Sequence, residues 1–284
     1  MATVAMGRRR SRDPLAAEDA VAGWLFIAPS LLVFLAFVFG PILYVAWLSF
    51  REWEVVRPEK TWIGLQNYRT LFASDDFQQA FRNTVWFALG VVPTQTIIGL
   101  VLAVLANRKI RGKTFFRTAF YFPSISSSIV ISIIFLWIYS NNGILNFVLR
   151  EVGINPPRPP WLNNPNGVIV QFLGIFGIDN VSAWLAGPSF ALLSIMMMNV
   201  WTTAGTMMVV FLAGLQDVPG DVYEASSLDG ASRWQQFRDI TVPLLRPVTL
   251  FVVTLGFIGT FQVFDQIFAM TSGQNGTTTL AYLI

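Results

Sequence analysis

The chain offers little for covalent chemistry. It contains no histidine and no cysteine, which excludes Ser-His and Cys-His nucleophile pairs, zinc held by imidazole or thiolate, haem ligated through either residue, and disulfides. An enzyme here would have to work with carboxylates, hydroxyls and amines alone. Asp265 is the single acid inside a long apolar run, whereas an aspartyl protease of the membrane needs two and a proton-coupled carrier needs a buried relay. Gly112-Lys113-Thr114 resembles the tail of a phosphate-binding loop, but the position that should hold its first glycine is Asn107 and no strand precedes it. No catalytic residue, no metal site and no cofactor bound by this chain is expected.

Two polar stripes remain. Asn199, Thr203 and Thr206 recur at i, i+4 and i+7, one face of a helix, with Trp201 and Thr202 alongside. Gly256, Thr260 and Val263 repeat that spacing further on, and Gly256 and Gly259 lack side chains that would fill a cavity. Such hydroxyls and amides, turned inward, could line a pathway for a polar solute. Small and hydroxylic residues also serve close packing between membrane helices, and both readings stand at this stage. Ser126, Ser127, Ser128 and Ser132 fit packing better. The methionines at 196 to 198 and at 207 and 208 read as adaptable filling at a moving interface. Asp265, near an outer end, suits anchoring of an external loop as well as contact with a solute or gate.

The elements that must position these residues are membrane spans. Of 284 residues, 54% are hydrophobic and 12% charged, about half the roughly 25% charge of soluble domains, and 25 are Phe. Mean hydropathy is +0.56. Five segments reach the roughly 20 apolar residues that cross a bilayer: about Val21 to Phe50, Asn83 to Ala106, Thr118 to Ser140, Ser189 to Leu215 and Val248 to Met270. Pro29, Pro41, Pro93 and Pro123 fall inside them and should kink rather than break their helices. The first run is too long, and lacks a small-residue cleavage site, for a removable signal peptide. A net charge of +3 does not indicate nucleic acid, because the basic residues sit at the ends of apolar runs and no binding motif surrounds them.

Those residues set an orientation instead. Arg8, Arg9, Arg10 and Arg12 occupy the amino terminus, and Arg108, Lys109, Arg111, Lys113 and Arg117 crowd the short second connection without an acid. With Arg233, Arg238 and Arg246 in the fourth connection, 12 of the 19 lysines and arginines lie on one side, which should be cytoplasmic. Residues 1–20 then form a basic cytoplasmic tail and 21–284 a membrane domain. The connection at about 141–188, with the stiff stretch from Asn155 to Trp161, should cap the outside. The last residues, Tyr282 to Ile284, read as the start of a sixth span.

The fourth connection, at about 216–247, carries the most information. Pro219, Gly220 and Asp221 suggest a helix start, with Asp221 as N-cap and Glu224 three residues later as its capping-box partner. Val222, Ala225 and Leu228 give one apolar face, Gly230 ends the helix, and a second short helix should run from about Ser232 to Ile240 before Pro243 and Pro247. A plain interfacial helix would be strongly basic on its polar face. This segment instead carries Asp217, Asp221, Glu224, Asp229 and Asp239.

Here the sequence resembles the permease subunits of binding-protein-dependent ABC importers, in their carbohydrate branch. Their cytoplasmic signature is Glu-Ala-Ala, three residues, Gly, nine residues, Ile-x-Leu-Pro. Glu224, Ala225, Gly230, Ile240 and Pro243 fall at those spacings, with Ser226 for the second Ala and Val242 for Leu. Asp229 and Ala231 beside Gly230, and the run from Phe261 to Gly273, also look like the sugar branch. The resemblance implies an all-α polytopic bundle of the type I importer fold, with Glu224, Ala225, Ser226, Asp229, Gly230, Ala231, Ile240 and Pro243 forming a coupling helix that docks on a separate ATPase. It places solute contacts at or near Asn199, Thr203, Thr206, Gly256, Thr260 and Val263. It further implies two ABC ATPase subunits holding ATP and Mg, a homologous second permease, an extracytoplasmic solute-binding protein, surrounding membrane lipid and no nucleic acid. The place would be a bacterial or archaeal cytoplasmic membrane. Import of a sugar or oligosaccharide is the implied function; glycerol phosphate or a polyol is the alternative cargo, and a secondary carrier a more distant one. No Arg or Lys lies within the spans to meet a phosphate, which favours a neutral sugar.

Overall fold

The computed structural model describes residues 14–54, 57–108, 112–177, 182 and 184–284. The arginines of the amino-terminal tail, Lys109 and Arg111 lie outside these residues. The chain forms two compact units, residues 1–73 and 74–284.

In the first unit, α1 (Pro14–Phe34), a π-helical turn (Leu35–Phe39) and α2 (Gly40–Leu48) make one apolar rod, 30 residues long from Asp19 to Leu48. At 1.5 Å per residue it is about 45 Å long, ample for a hydrocarbon core of about 30 Å. Pro29 sits inside α1 without a break. Pro41, which cannot donate a hydrogen bond, is absorbed by the wide turn before it, where the Gly40 N–H reaches back to the Leu35 carbonyl.

An antiparallel hairpin, β1 (Arg51–Glu54) and β2 (Arg57–Trp62), follows, with Arg51 opposite Trp62 and Glu52 opposite Thr61. It lies outside the all-helical expectation, and its signal was the alternation of Arg51 and Trp53 with Glu52. The Arg51 guanidinium stacks 4.0 Å from the Trp47 ring, and Lys60 Nζ donates to Tyr44 Oη at 2.7 Å. A short helix, α3 (Gln66–Ala73), closes this unit.

The second unit is built on α4 (Asp75–Asn107), started by Ser74, whose hydroxyl accepts from the Phe77 N–H. Next come α5 (Lys113–Ile125) and α6 (Ser128–Ile138), bent by 99° at a two-residue break. The kink expected at Pro123 is therefore a break. Pro123 lies in the last turn of α5, Ser126 Oγ bonds back to the Phe122 carbonyl at 3.2 Å, and the backbone of Ser126 and Ser127 is extended. Pro93, by contrast, passes inside α4. The outer connection holds α7 (Ile144–Glu151), a 3₁₀ turn at Trp161–Asn163 and α8 (Val168–Gly174).

Then α9 (Phe190–Gln216) descends from its N-cap Ser189, whose Oγ accepts from the Leu192 N–H at 3.0 Å. The loop that follows contains α10 (Gly220–Leu228), α11 (Arg233–Gln235), a π-helical stretch (Gln236–Thr241) and α12 (Val242–Leu244). It leads into α13 (Arg246–Phe261), α14 (Asp265–Thr271) and α15 (Leu280–Leu283). Here too a π turn precedes a proline, Pro243, with the Val242 N–H bonded to the Phe237 carbonyl. The single span expected from Val248 to Met270 ends at Phe261. Gly256 and Gly259 weaken its last turns, and the freed Val263 carbonyl is satisfied by the Thr279 hydroxyl at 3.0 Å.

The core lies where α4 runs along α9 and α13 packs on both. Phe87, Leu192, Ile195 and Met198 fill the half nearer the start of α9, and Met207, Met208, Phe211, Leu245 and Val252 the half nearer the 216–247 loop. Close approach depends on glycines. A Cβ on Gly99 would stand 2.6 Å from Met207 Cβ, and one on Gly205 would collide with the Phe120 carbonyl. Three single helices are long and apolar enough to cross a membrane, or up to five if each bent pair is one span, among the described residues.

Candidate functional site

The loop between α9 and α13 folds as a unit. Its first helix begins at Gly220, with Pro219 as an extended N-cap lacking a side-chain bond. The expected box of Asp221 with Glu224 does not form, because Pro219 starts the helix two residues earlier and carries Asp221 into the first turn. There it complements the helix dipole. The capping box forms instead at the next helix: the Ser232 N–H donates to Gln235 Oε1 at 2.8 Å, and the Gln235 N–H to Ser232 Oγ at 3.3 Å. The second helix, expected from about Ser232 to Ile240, is α11 continued by the π-helical stretch.

Gly230 adopts φ +82°, with no atom within 4 Å of where a Cβ would lie. Backbone conformation, and not space, demands the glycine. The Gly230 N–H bonds to the Ser227 carbonyl at 3.1 Å and the Ala231 N–H to the Ser226 carbonyl at 3.0 Å, a Schellman closure of α10. Across this turn Gln236 Nε2 donates to the Tyr223 carbonyl, Ser226 Oγ and Ser227 Oγ at 3.2, 2.9 and 2.8 Å. Tyr223 Oη and Thr241 Oγ1 lie 2.9 Å apart. Ser226, standing where the signature has alanine, is thus part of the bolt between the two halves.

The outer surface of this unit is left open. Leu228 is 89% exposed and Trp234 66%, and Glu224 and Ala225 are exposed beside them. Asp229, Gly230, Ala231, Asp239 and Ile240 line a shallow hollow of about 250 Å³. Arg238, hydrogen-bonded to Asp239 at 2.7 Å, holds that carboxyl below the usual range. Pro243, half-buried in the first turn of α12, marks the way back to α13.

The polar stripes are distributed unevenly. Asn199, Gly256, Thr260 and Val263 are buried in helix packing, Thr203 is half-buried and Thr206 is exposed. One residue that the spacing argument passed over joins the two stripes. Gln95 of α4, 2% exposed, accepts from Thr203 Oγ1 at 2.6 Å, and its Nε2 lies 2.5 Å from where a Cβ on Gly256 would be. The absent side chain of Gly256 is what admits Gln95, and a glutamine amid an apolar run was the available signal. A second omission is Ser124, whose Oγ donates to the Thr202 carbonyl at 2.5 Å and accepts from the Thr206 N–H at 3.2 Å, tying α5 to α9.

The opposite end of the unit is stapled by a different network. Asn83 Nδ2 donates to the carbonyls of Gly276 and Thr278 at 3.0 and 2.8 Å, Thr84 Oγ1 accepts from the Leu280 N–H at 2.9 Å, and Asn275 Nδ2 donates to the Leu162 carbonyl at 2.9 Å. Asn275 thereby anchors the outer connection, whereas Asp265 is exposed in the first turn of α14. Among the described residues no group of three or more Asp, Glu, His or Cys could hold a metal ion.

Comparison with known proteins bears on this arrangement. Residues 95–282 match the family described as binding-protein-dependent transport system inner membrane component. The chain is 34% identical over 262 residues to the probable ABC transporter permease protein YurN of Bacillus subtilis, covering 91% of this chain and 82% of that one. It is 31% identical to the trehalose/maltose transport system permease protein MalF of Thermococcus litoralis, covering 94% and 83%. Among solved structures, a bacterial ABC transporter for import of the acidic polysaccharide alginate shares the fold, with TM-score 0.71 and 22% identity over 95% of this chain and 85% of the other.

Proposed function

We propose a function from the premise that this chain belongs to the family of inner-membrane components of binding-protein-dependent transport systems, and so is a multi-pass permease of an ABC importer. Its cargo is a sugar or oligosaccharide, by likeness to relatives named for trehalose and maltose, lactose and arabinooligosaccharides. The permease hydrolyses nothing itself. Two separate ATPase subunits hold ATP and Mg, a homologous second permease completes the pathway, and an external solute-binding protein delivers the sugar. The amino terminus and the 216–247 loop face the cytoplasm, on the strength of the basic residues around them.

The observation that carries this reading is the loop. Two short helices bolted across Gly230 by Gln236 and Tyr223 can pass on a rigid-body movement that a loose loop would absorb. Leu228, Trp234 and the hollow around Gly230 present an apolar and polar surface for an ATPase groove, with Glu224, Ala225, Ser226, Asp229, Ala231, Ile240 and Pro243 framing it. ATP-driven movement of that unit shifts α9 and α13, which bear the polar stripes. Thr206, exposed on α9, meets the solute in the arrangement described. Asn199, Thr203, Gly256, Thr260 and Val263 become available as the helices part.

Co-purification of the tagged chain from its native membrane tests this. The natural chain should bring an ATPase and a second permease with it. Leu228→Asp, a surface change, should lose the ATPase and retain the permease, as should Gly230→Pro. Retention of the ATPase by both variants, or purification of the natural chain without one, would contradict the reading.

A further inference from the structure

We infer that the groove between α4, α5 and α9 binds an anionic phospholipid, with one acyl chain along the groove and the phosphate at Arg108. Two adjoining hollows of about 330 and 300 Å³ make up the groove, and Leu102 and Phe120 line both. Ile98, Leu102 and Leu105 form one face of α4 at i, i+4 and i+7 spacing, Phe116 and Phe120 form the facing wall on α5, and Trp201 of α9 stands at the far end. Every lining residue is apolar or glycine except one, Arg108, at the mouth. The floor is deep because Gly205 lets α5 approach α9 at backbone distance.

Length and charge both select the occupant. From Ile98 to Arg108 the groove follows ten residues of helix, about 15 Å, which is half of a hydrocarbon core of about 30 Å and so one leaflet. A detergent-like or sterol ligand would not need a cation at one end and an apolar slot of that length. Near the mouth, Arg117 bonds the carbonyl of Ala106 in the groove wall, Lys113 lies one turn before it on α5, and the sequence has no acid between Asp76 and Glu151. Arg117 gives one Nη2 hydrogen bond, 3.1 Å to the Ala106 carbonyl, and its buried Nε has no partner. Three cations without an ion pair among the described residues, at the end of an apolar slot, complement a phosphate on a long chain. The inference rests on the orientation proposed above, which places this mouth at the cytoplasmic leaflet.

The test uses the assembled transporter in nanodiscs of equal phosphatidylglycerol and phosphatidylcholine, with native mass spectrometry of the lipid it retains. Phosphatidylglycerol should be enriched about five-fold or more, and the Arg108→Gln, Lys113→Gln double variant should bring the ratio near one. Ala119→Trp, which fills the groove from an exposed position, should lower retention of phosphatidylglycerol while the subunits stay together. A ratio unmoved by the charge variant, retention unmoved by Ala119→Trp, or cross-linking of Ala119→Cys to another subunit would overturn the inference. The last result would mean that protein, not lipid, covers the groove. Labelling of Thr114→Cys by an impermeant thiol reagent from the cytoplasmic side alone should report the orientation separately. Labelling from outside would overturn the cytoplasmic placement without altering the lipid selectivity.

Discussion

The two ends of the second unit are both dense in side-chain hydrogen bonds, yet they are wired differently. At the end held by residues 273–280, beside local bonds such as Thr278 Oγ1 to the Gly273 carbonyl, others reach across the fold, from Gly276 to Asn83, from Leu280 to Thr84 and from Asn275 to Leu162. Each of these three joins residues more than a hundred positions apart in sequence. In the loop between α9 and α13 the side-chain bonds of residues 223–241 stay within the loop itself, as in Tyr223 with Thr241 and Gln236 with Ser226. One network pins a loop to a bundle; the other makes a loop rigid without pinning it. Under the function and orientation proposed above, that contrast supplies a fixed frame at one end and a movable solid handle at the other.

The contrast can be broken from either end. Asn83→Leu should have the largest effect on stability, because it leaves the half-buried Thr278 carbonyl without its donor, leaves the Gly276 carbonyl with the Ser189 hydroxyl alone at 3.3 Å, and removes a link between α4 and the 273–280 segment. We expect about 2–5 kcal/mol, read as a lower midpoint of thermal unfolding, with the ATPase still retained. Gly256→Val should come next, at about 1–3 kcal/mol, since its side chain would meet Gln95 and Val92. Solute transport should fall with it, while Gly256→Ala paired with Gln95→Ala should recover part of the loss.

Gly230→Val should invert the first result. The left-handed conformation costs a side chain about 1–2 kcal/mol, borne by a peripheral loop, so global unfolding should move little and ATPase retention should drop sharply. Ser232→Ala, which removes the capping box, should be smallest, at about 1 kcal/mol, and should weaken sugar-stimulated ATP hydrolysis without dissociating the complex. With no histidine in the chain, docking on an ATPase groove that also lacks histidine should hold steady between pH 5 and 8. Asp239, held below the usual carboxyl range by Arg238, should stay charged throughout that window and lose its ion pair only on further acidification. A sharp loss of docking near pH 6 would contradict this.

Much of this was legible from the residues. Apolar length located the spans, and the spacing from Glu224 to Pro243 located the loop, because both are written locally. What escaped was set by competition or by distant partners. The break after Pro123 falls where Ser126 and Ser127 turn extended inside an apolar run that reads as one helix, and the end of α13 depends on the Thr279 hydroxyl, sixteen residues on, satisfying Val263. The capping box went to Ser232 rather than Asp221 because Pro219 shifted the helix start by two residues, a contest between two sound local signals. Gln95 was missed for a different reason. Its role comes from the gap at Gly256, and no single span shows that juxtaposition.

If the proposed function holds, the loop between α9 and α13 moves as one body against the end held by residues 273–280. The natural chain has no cysteine, so spin-label pairs can be placed cleanly in the assembled transporter. Asp221→Cys with Arg233→Cys spans the loop, and Asp221→Cys with Gln274→Cys spans the loop and the 273–280 segment. On addition of ATP with Mg, the first distance should keep its mean and width while the second shifts. A broadened or shifted distance within the loop, with the second unchanged, would contradict the account.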